Sequence, residues 1–85
     1  MTARPTNAEL VASAGRALFG DQWQSPTARL LGISIRSMQY MAAAADRGDS
    51  YRIPSGILLD LAAELDKRAM ECRTVSKALR DMAAP

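Results

Sequence analysis

Apolar residues recur at helical spacing in four segments of the chain. In residues 7–19, 24–31, 35–45 and 55–82 they return every three or four positions, which places them on one face of a helix. Alanine and leucine are abundant and aromatic residues are few, a composition that favours helix over sheet. The pattern predicts an all-α fold: one domain built as a bundle of about four helices, the last of them extended.

Local start and stop signals set the bounds of the first two helices. Thr6 and Glu9 form the pattern of a capping box, and Gly20 can end the first helix in a left-handed conformation. The second helix begins near residues 24–25, with Asp21 or Ser25 as the candidate cap. We expect the inward side chains of these two helices to be Leu10, Val11, Ala14, Ala17 and Leu18, followed by Thr27, Ala28, Leu30 and Leu31.

Gly32 lies inside an otherwise helical stretch, where glycine costs a helix about 1 kcal/mol relative to alanine. A left-handed glycine directly after Leu31 would instead end one helix and reverse the chain. Ile33 would be buried in the turn and Ser34 would cap a third helix at 35–45, whose inward residues are Met38, Met41 and Ala42. Two short helices joined by a turn of three to four residues form a helix-turn-helix, which we assign to residues 24–45.

Four positions around this glycine match a known pattern. Ala28 precedes Gly32 by four residues, Ile33 follows it, Met38 lies six residues after it, and Gln24 opens the first helix of the motif. In this respect the chain resembles small helix-turn-helix DNA-binding regulators of the phage Cro/CI repressor type, over about 20 of its 85 residues. Met38 departs from the valine or isoleucine usual there.

The resemblance implies a sequence-specific DNA-binding transcriptional regulator, most simply a dimeric repressor that controls its own operon as phage regulators and antitoxins do. Its recognition helix, residues 35–45, would enter the major groove of double-stranded DNA. The family pattern directs five residues towards the bases: Ser34, Ile35, Arg36, Gln39 and Tyr40. The candidate phosphate contacts are Gln24, Arg29, Ser37, Arg47 and Arg52.

Some of these side chains have simpler interpretations. Arg36 could only solubilise a helix, and Tyr40 could pack against the loop at residues 51–53. Arg47 and Arg52 could be solvated charges of the loop at 46–54, which Gly48 and Pro54 punctuate.

The last helix has apolar residues at heptad spacing. It should begin at Pro54 or Ser55, and positions 58, 61, 65, 72, 75, 79 and 82 follow a 3-4 pattern that only Arg68 interrupts. As one helix, residues 55–82 would be about 42 Å long, whereas a small domain is about 30 Å across. The first turns would close the core, while the rest would bend back after a break near Asp66 or pair with a second copy. The predicted dimer interface is Leu65, Cys72, Val75, Leu79 and Met82.

Two copies could place their recognition helices in half-sites about 34 Å apart. Cys72 would lie near its symmetry mate only if the two helices were parallel. On this view residues 1–54 supply a short loose tail (residues 1–5), the first helix, the helix-turn-helix and a loop, and residues 55–85 supply the dimerising helix.

Charge is consistent with a nucleic-acid partner. The net charge is +2, and residues 1–54 account for it with six arginines and four acidic residues. No acidic residue occurs between Asp21 and Asp46, whereas Arg29 and Arg36 do. A surface that faces phosphates should have this character, and its affinity should fall with salt.

The composition speaks against several other classes of protein. The chain has no histidine and one cysteine, so the commonest general base and the usual zinc ligand sets are missing, and we expect neither an enzyme nor a cofactor. No small-molecule ligand is evident, and few aromatics are present to stack on RNA bases. The lone cysteine, the lack of a membrane-length apolar run and the lack of a signal-like segment favour a cytoplasmic protein. The remaining alternative is a helical protein–protein interaction module or antitoxin-like partner without DNA binding.

Overall fold

The computed structural model describes residues 4–84, which form four helices. These are α1 (Asn7–Phe19), α2 (Gln24–Leu31), α3 (Ile35–Asp46) and α4 (Ser55–Ala83). The all-α prediction is confirmed, and within residues 4–84 there is no strand. None of the helices described is long and apolar enough to span a membrane. Most of the predicted N-terminal tail lies outside the described residues.

The helix α1 starts at the predicted capping box. The amide of Glu9 donates to Thr6 Oγ1 over 3.1 Å, and the amide of Thr6 donates to Glu9 Oε1 over 2.9 Å. Its buried side is made of small residues and two larger ones: Ala8, Val11, Ala12, Ala14, Gly15 and Leu18. The expectation that Leu10 and Ala17 point inward is wrong, because α1 turns the side that carries Ala8, Val11 and Gly15 towards the core and leaves Leu10 and Ala17 exposed.

The start of α2 is at Gln24 as predicted, but neither predicted cap is used. The capping position is Trp23, which makes no side-chain bond to the helix; its indole is buried in the core instead. Gly15 gives the indole its room, since a Cβ at that position would lie 2.4 Å from Trp23 Cε3. Thr27 and Ala28 are buried as expected, whereas Leu30 is exposed, because this eight-residue helix is covered on one side only.

Gly32 ends α2 in the left-handed conformation, with φ 68° and ψ 28°. The amide of Gly32 donates to the carbonyl of Arg29 over 3.3 Å. The amide of Ile33 donates to the carbonyl of Ala28 over 3.0 Å. Ser34 then caps α3 by accepting the amide of Ser37 over 3.0 Å. The predicted turn between two helices is therefore confirmed, with Met38 fully buried behind it.

A side-chain contact fastens the loop between α3 and α4 to the start of α1. The amide of Tyr51 donates to Asn7 Oδ1 over 2.9 Å, and Asn7 Nδ2 donates to the carbonyl of Tyr51. These two bonds replace backbone pairing for Tyr51 and hold the loop beside the C-terminal end of α3.

The helix α4 is continuous for 29 residues, so the break considered near Asp66 is absent. Leu61 is buried against the other helices, but from residue 66 to 84 every residue except the half-buried Ser76 is exposed. The radius of gyration is 15.5 Å, compared with about 12 Å for a compact chain of this length. The C-terminal half of α4 therefore projects from the bundle.

Candidate nucleic-acid interface

The helix α3 has one buried face and one exposed face. Met38, Met41, Ala42 and Ala44 are buried against the rest of the bundle. The opposite side presents four exposed residues, which we call the recognition face: Ile35, Arg36, Gln39 and Tyr40. Residues three and four apart on a helix are surface neighbours, so these side chains lie together. Four of the five predicted base contacts are thus brought onto one solvent-facing surface.

The guanidinium of Arg36 is free of carboxylate partners. Within residues 4–84 the ion pairs are Arg47 with Asp49, Arg68 with Glu71 and Lys77 with Asp81, and none involves Arg36. All five of its N–H donors are therefore available to a planar acceptor pair such as the O6 and N7 atoms of guanine.

The two serines of the turn are engaged with each other. Ser34 Oγ accepts the amide of Ser37 and lies 3.0 Å from Ser37 Oγ, to which it donates. Ser34 is exposed and Ser37 is half-buried. Both therefore help to hold the N-terminus of α3, and a contact of either with DNA stays a prediction.

The N-termini of α2 and α3 meet in one groove of about 380 Å³. Gln24 and Ser25 line it from α2, and Ile35 lines it from the recognition face. Because no side chain caps α2, its first N–H groups remain available for a phosphate oxygen. Asp21 lies in the same groove, and sequence reasoning did not place this carboxylate so near the predicted contacts.

A second groove, of about 510 Å³, runs from the recognition face to the following loop. Tyr40 and Tyr51 both line this groove, and Tyr40 is 56% exposed. Arg47 lines it too, but its Nε donates to Asp49 Oδ2 over 2.9 Å, which partly neutralises the predicted phosphate contact. Asp49 was not expected in this role.

The remaining predicted phosphate contacts, Arg29 and Arg52, are exposed and form no ion pair in the part of the chain that is described. Neither belongs to the recognition face. Of the predicted dimer-interface residues, Leu65 is half-buried, while the C-terminal ones are exposed: Cys72, Val75, Leu79 and Met82. The described residues contain no group of histidine, cysteine or acidic side chains that could hold a metal ion.

Comparisons with known proteins identify no relative of this chain. No family model matches the chain, and neither the curated proteins nor the solved structures give a significant match.

Proposed function

We propose that this chain is a sequence-specific DNA-binding transcriptional regulator, a cytoplasmic dimeric repressor that inserts α3 into the major groove. The proposal rests on one observation above all. The helix that follows the left-handed Gly32 has a core-facing side and, opposite it, a free surface with an unpaired arginine and a glutamine.

The dimensions of the two partners are compatible. An α-helix with its side chains is about 10–12 Å in diameter, and the major groove is about 12 Å wide. In regulators of this architecture the first motif helix crosses the backbone while the second lies in the groove. The groove shared by Gln24 and Ile35 supports this arrangement, because it brings the start of α2 beside the start of α3.

Each side chain of the recognition face has a role that fits its chemistry. Arg36 would pair with guanine and Gln39 with adenine, each through two hydrogen bonds. Ile35 would contact a thymine methyl group, while the hydroxyl of Tyr40 would donate to a base edge or the nearest phosphate. Ser34, beside this face, would do the same on exchanging its bond to Ser37 Oγ for one to DNA. Phosphates would be bound by Gln24, Ser37, Arg29, Arg47 and Arg52.

The small net positive charge of the chain limits the affinity of one copy for DNA. With a net charge of +2, one copy can neutralise few phosphates, so its binding should be weak and sensitive to salt. A dimer doubles the phosphate contacts and the base contacts within one site, which is why the proposal includes two copies.

We expect Arg36→Ala to weaken binding to the preferred site by about 1–3 kcal/mol and to relax one base position. The preferred site is first selected from a random duplex pool, and affinity is then measured by fluorescence anisotropy at two salt concentrations. Arg73→Ala is the matched control, since Arg73 is also exposed and forms no ion pair among residues 4–84 but lies on α4. Equal losses for the two variants, or failure to select any duplex, would refute the proposal and favour a pure protein-interaction module.

A further inference from the structure

Two apolar grooves lie on the same side of α4. The first, of about 210 Å³, is lined by Leu10 and Ala14 of α1 and by Leu58, Leu61 and Leu65 of α4. The second runs along the projecting half between Cys72, Val75 and Leu79. Leu61 and Leu65 correspond to Val75 and Leu79 after 14 residues, which is two heptads, so both grooves belong to one face of the helix.

The chain exposes more surface than its size requires. It exposes 6399 Å², whereas a compact monomer of 9.2 kDa exposes about 4,900 Å². The excess of about 1,500 Å² exceeds the roughly 800 Å² that each partner buries in a standard interface. The excess exposed area of the chain is therefore large enough to supply an interface of standard size.

We infer that a second copy of this chain occupies both grooves, with the two α4 helices antiparallel and centred near residue 70. In this register the partner's Leu79 lies level with Leu61, which its own bundle already buries, and so packs over the groove between α1 and α4. The partner's Val75 lies level with the half-buried Leu65. The projecting half of each helix fills the groove between α1 and α4 of the other copy. Because the pairing is two-fold symmetric, both grooves of both copies are covered at once.

The charges of α4 favour this direction. Residues 55–65 contain two acidic side chains and no basic one, while residues 66–84 contain five basic and three acidic side chains. In the antiparallel register, residues 55–65, with net charge −2, lie beside the partner's residues 75–84, whose Lys77, Arg80 and Asp81 give a net charge of +1. Parallel helices would instead place like charges together, which costs free energy.

The position of Arg68 also favours antiparallel helices. It is the one charged residue at the heptad positions between Leu58 and Met82. In a parallel pair it would face its own symmetry mate in the interface, whereas in the antiparallel register it faces the partner's Cys72. In this register the guanidinium of Arg68 can keep its ion pair with Glu71 of the same helix, in which Nε and Oε2 are 4.0 Å apart.

This inference rests on the dimer proposed above but not on DNA binding, so the two can fail separately. Its test uses disulfide formation between full-length chains that carry different tags and are co-expressed. One chain has Arg68→Cys with Cys72→Ala, and the other retains its native Cys72. Oxidation should join the two chains, because residues 68 and 72 are opposite each other in the antiparallel register.

The wild-type protein provides the complementary experiment, in which the antiparallel register predicts little disulfide cross-linking. In the antiparallel register two Cys72 residues are offset by about 6 Å along the helix axes. With axes about 8–10 Å apart and Cα atoms about 2.3 Å from each axis, their Cα atoms lie about 7–8 Å apart, at or beyond the roughly 7 Å limit for a disulfide. Oxidation of the wild-type chain should therefore give little cross-linked product. Efficient Cys72–Cys72 cross-linking would show a parallel pair, and no cross-link in either experiment would show another register; either result would overturn the inference.

A matched pair of substitutions tests the face of α4 that is used. Leu79 and Met70 are 65% and 69% exposed on the same helix, but only Leu79 lies at a heptad position. By sedimentation, Leu79→Glu should convert the dimer to a monomer, whereas Met70→Glu should remain dimeric. Circular dichroism checks that both variants keep their helices. A monomeric wild-type protein, or dissociation by Met70→Glu but not by Leu79→Glu, would contradict the inference.

Discussion

Trp23→Ala should lower the free energy of unfolding by about 3–5 kcal/mol, the usual cost of removing a large core aromatic. The indole is 3% exposed and packs directly on Gly15 of α1. Its other neighbours include Arg16, whose guanidinium carbon lies 5.7 Å from the ring centroid.

The effect is large relative to the whole stability of the domain. At roughly 0.05–0.15 kcal/mol per residue, a chain of this length has about 4–13 kcal/mol in total. At the lower end of this range, Trp23→Ala would leave a substantial fraction of the chain unfolded at physiological temperature. The measurement is urea unfolding followed by circular dichroism at one fixed protein concentration, because dimerisation makes apparent stability depend on concentration.

Leu30→Ala is the control for this prediction. Leu30 is 40% exposed on the same short helix, so its truncation should cost well under the value for Trp23. If Leu30→Ala proved as destabilising as Trp23→Ala, α2 would be rotated relative to the arrangement described above.

Substituting Arg36 and Gln39 together by alanine should abolish sequence preference. Two bidentate base contacts are worth about 2–6 kcal/mol of discrimination per half-site, which corresponds to a loss of about 30-fold to 10⁴-fold for each half-site that a dimer occupies. The residual binding should be non-specific and should still weaken with salt, since the phosphate contacts remain. Competition between the selected site and a scrambled duplex measures this directly.

The control for the double substitution removes more positive charge than the double substitution does, but from α4 rather than from the recognition face. Lys67→Ala with Arg73→Ala takes two positive charges from exposed positions of α4, compared with one from the recognition face. It should lower affinity for both duplexes slightly and leave their ratio unchanged. If specific binding survived the loss of Arg36 and Gln39 together, the assignment of α3 as the recognition helix would be wrong.

The features that sequence alone predicted are those set by local chemistry. The capping box at Thr6, the left-handed Gly32 and the Ser34 cap each depend on residues within a few positions, so the helix bounds followed. The recognition face was also predictable, because the apolar spacing of Met38, Met41 and Ala42 fixes which side of α3 is left for solvent.

The features that were missed depend on contacts between distant residues. The packing of Trp23 against Gly15 determines how α2 lies on α1. The residues that neighbour Trp23 and Gly15 in the sequence do not predict this contact. The bonds between Asn7 and Tyr51 join residues 44 apart. In the candidate site, the carboxylates of Asp21 and Asp49 entered the two grooves by the same kind of tertiary proximity.

Methylation interference on the selected duplex would locate α3 on the DNA. A methyl group on guanine N7 lies in the major groove, whereas one on adenine N3 lies in the minor groove. Insertion of α3 predicts that N7 methylation blocks binding within both half-sites, and that the guanine contacted by Arg36 loses this sensitivity in Arg36→Ala. Interference confined to adenine N3, or the same N7 pattern with and without Arg36, would contradict recognition by this helix.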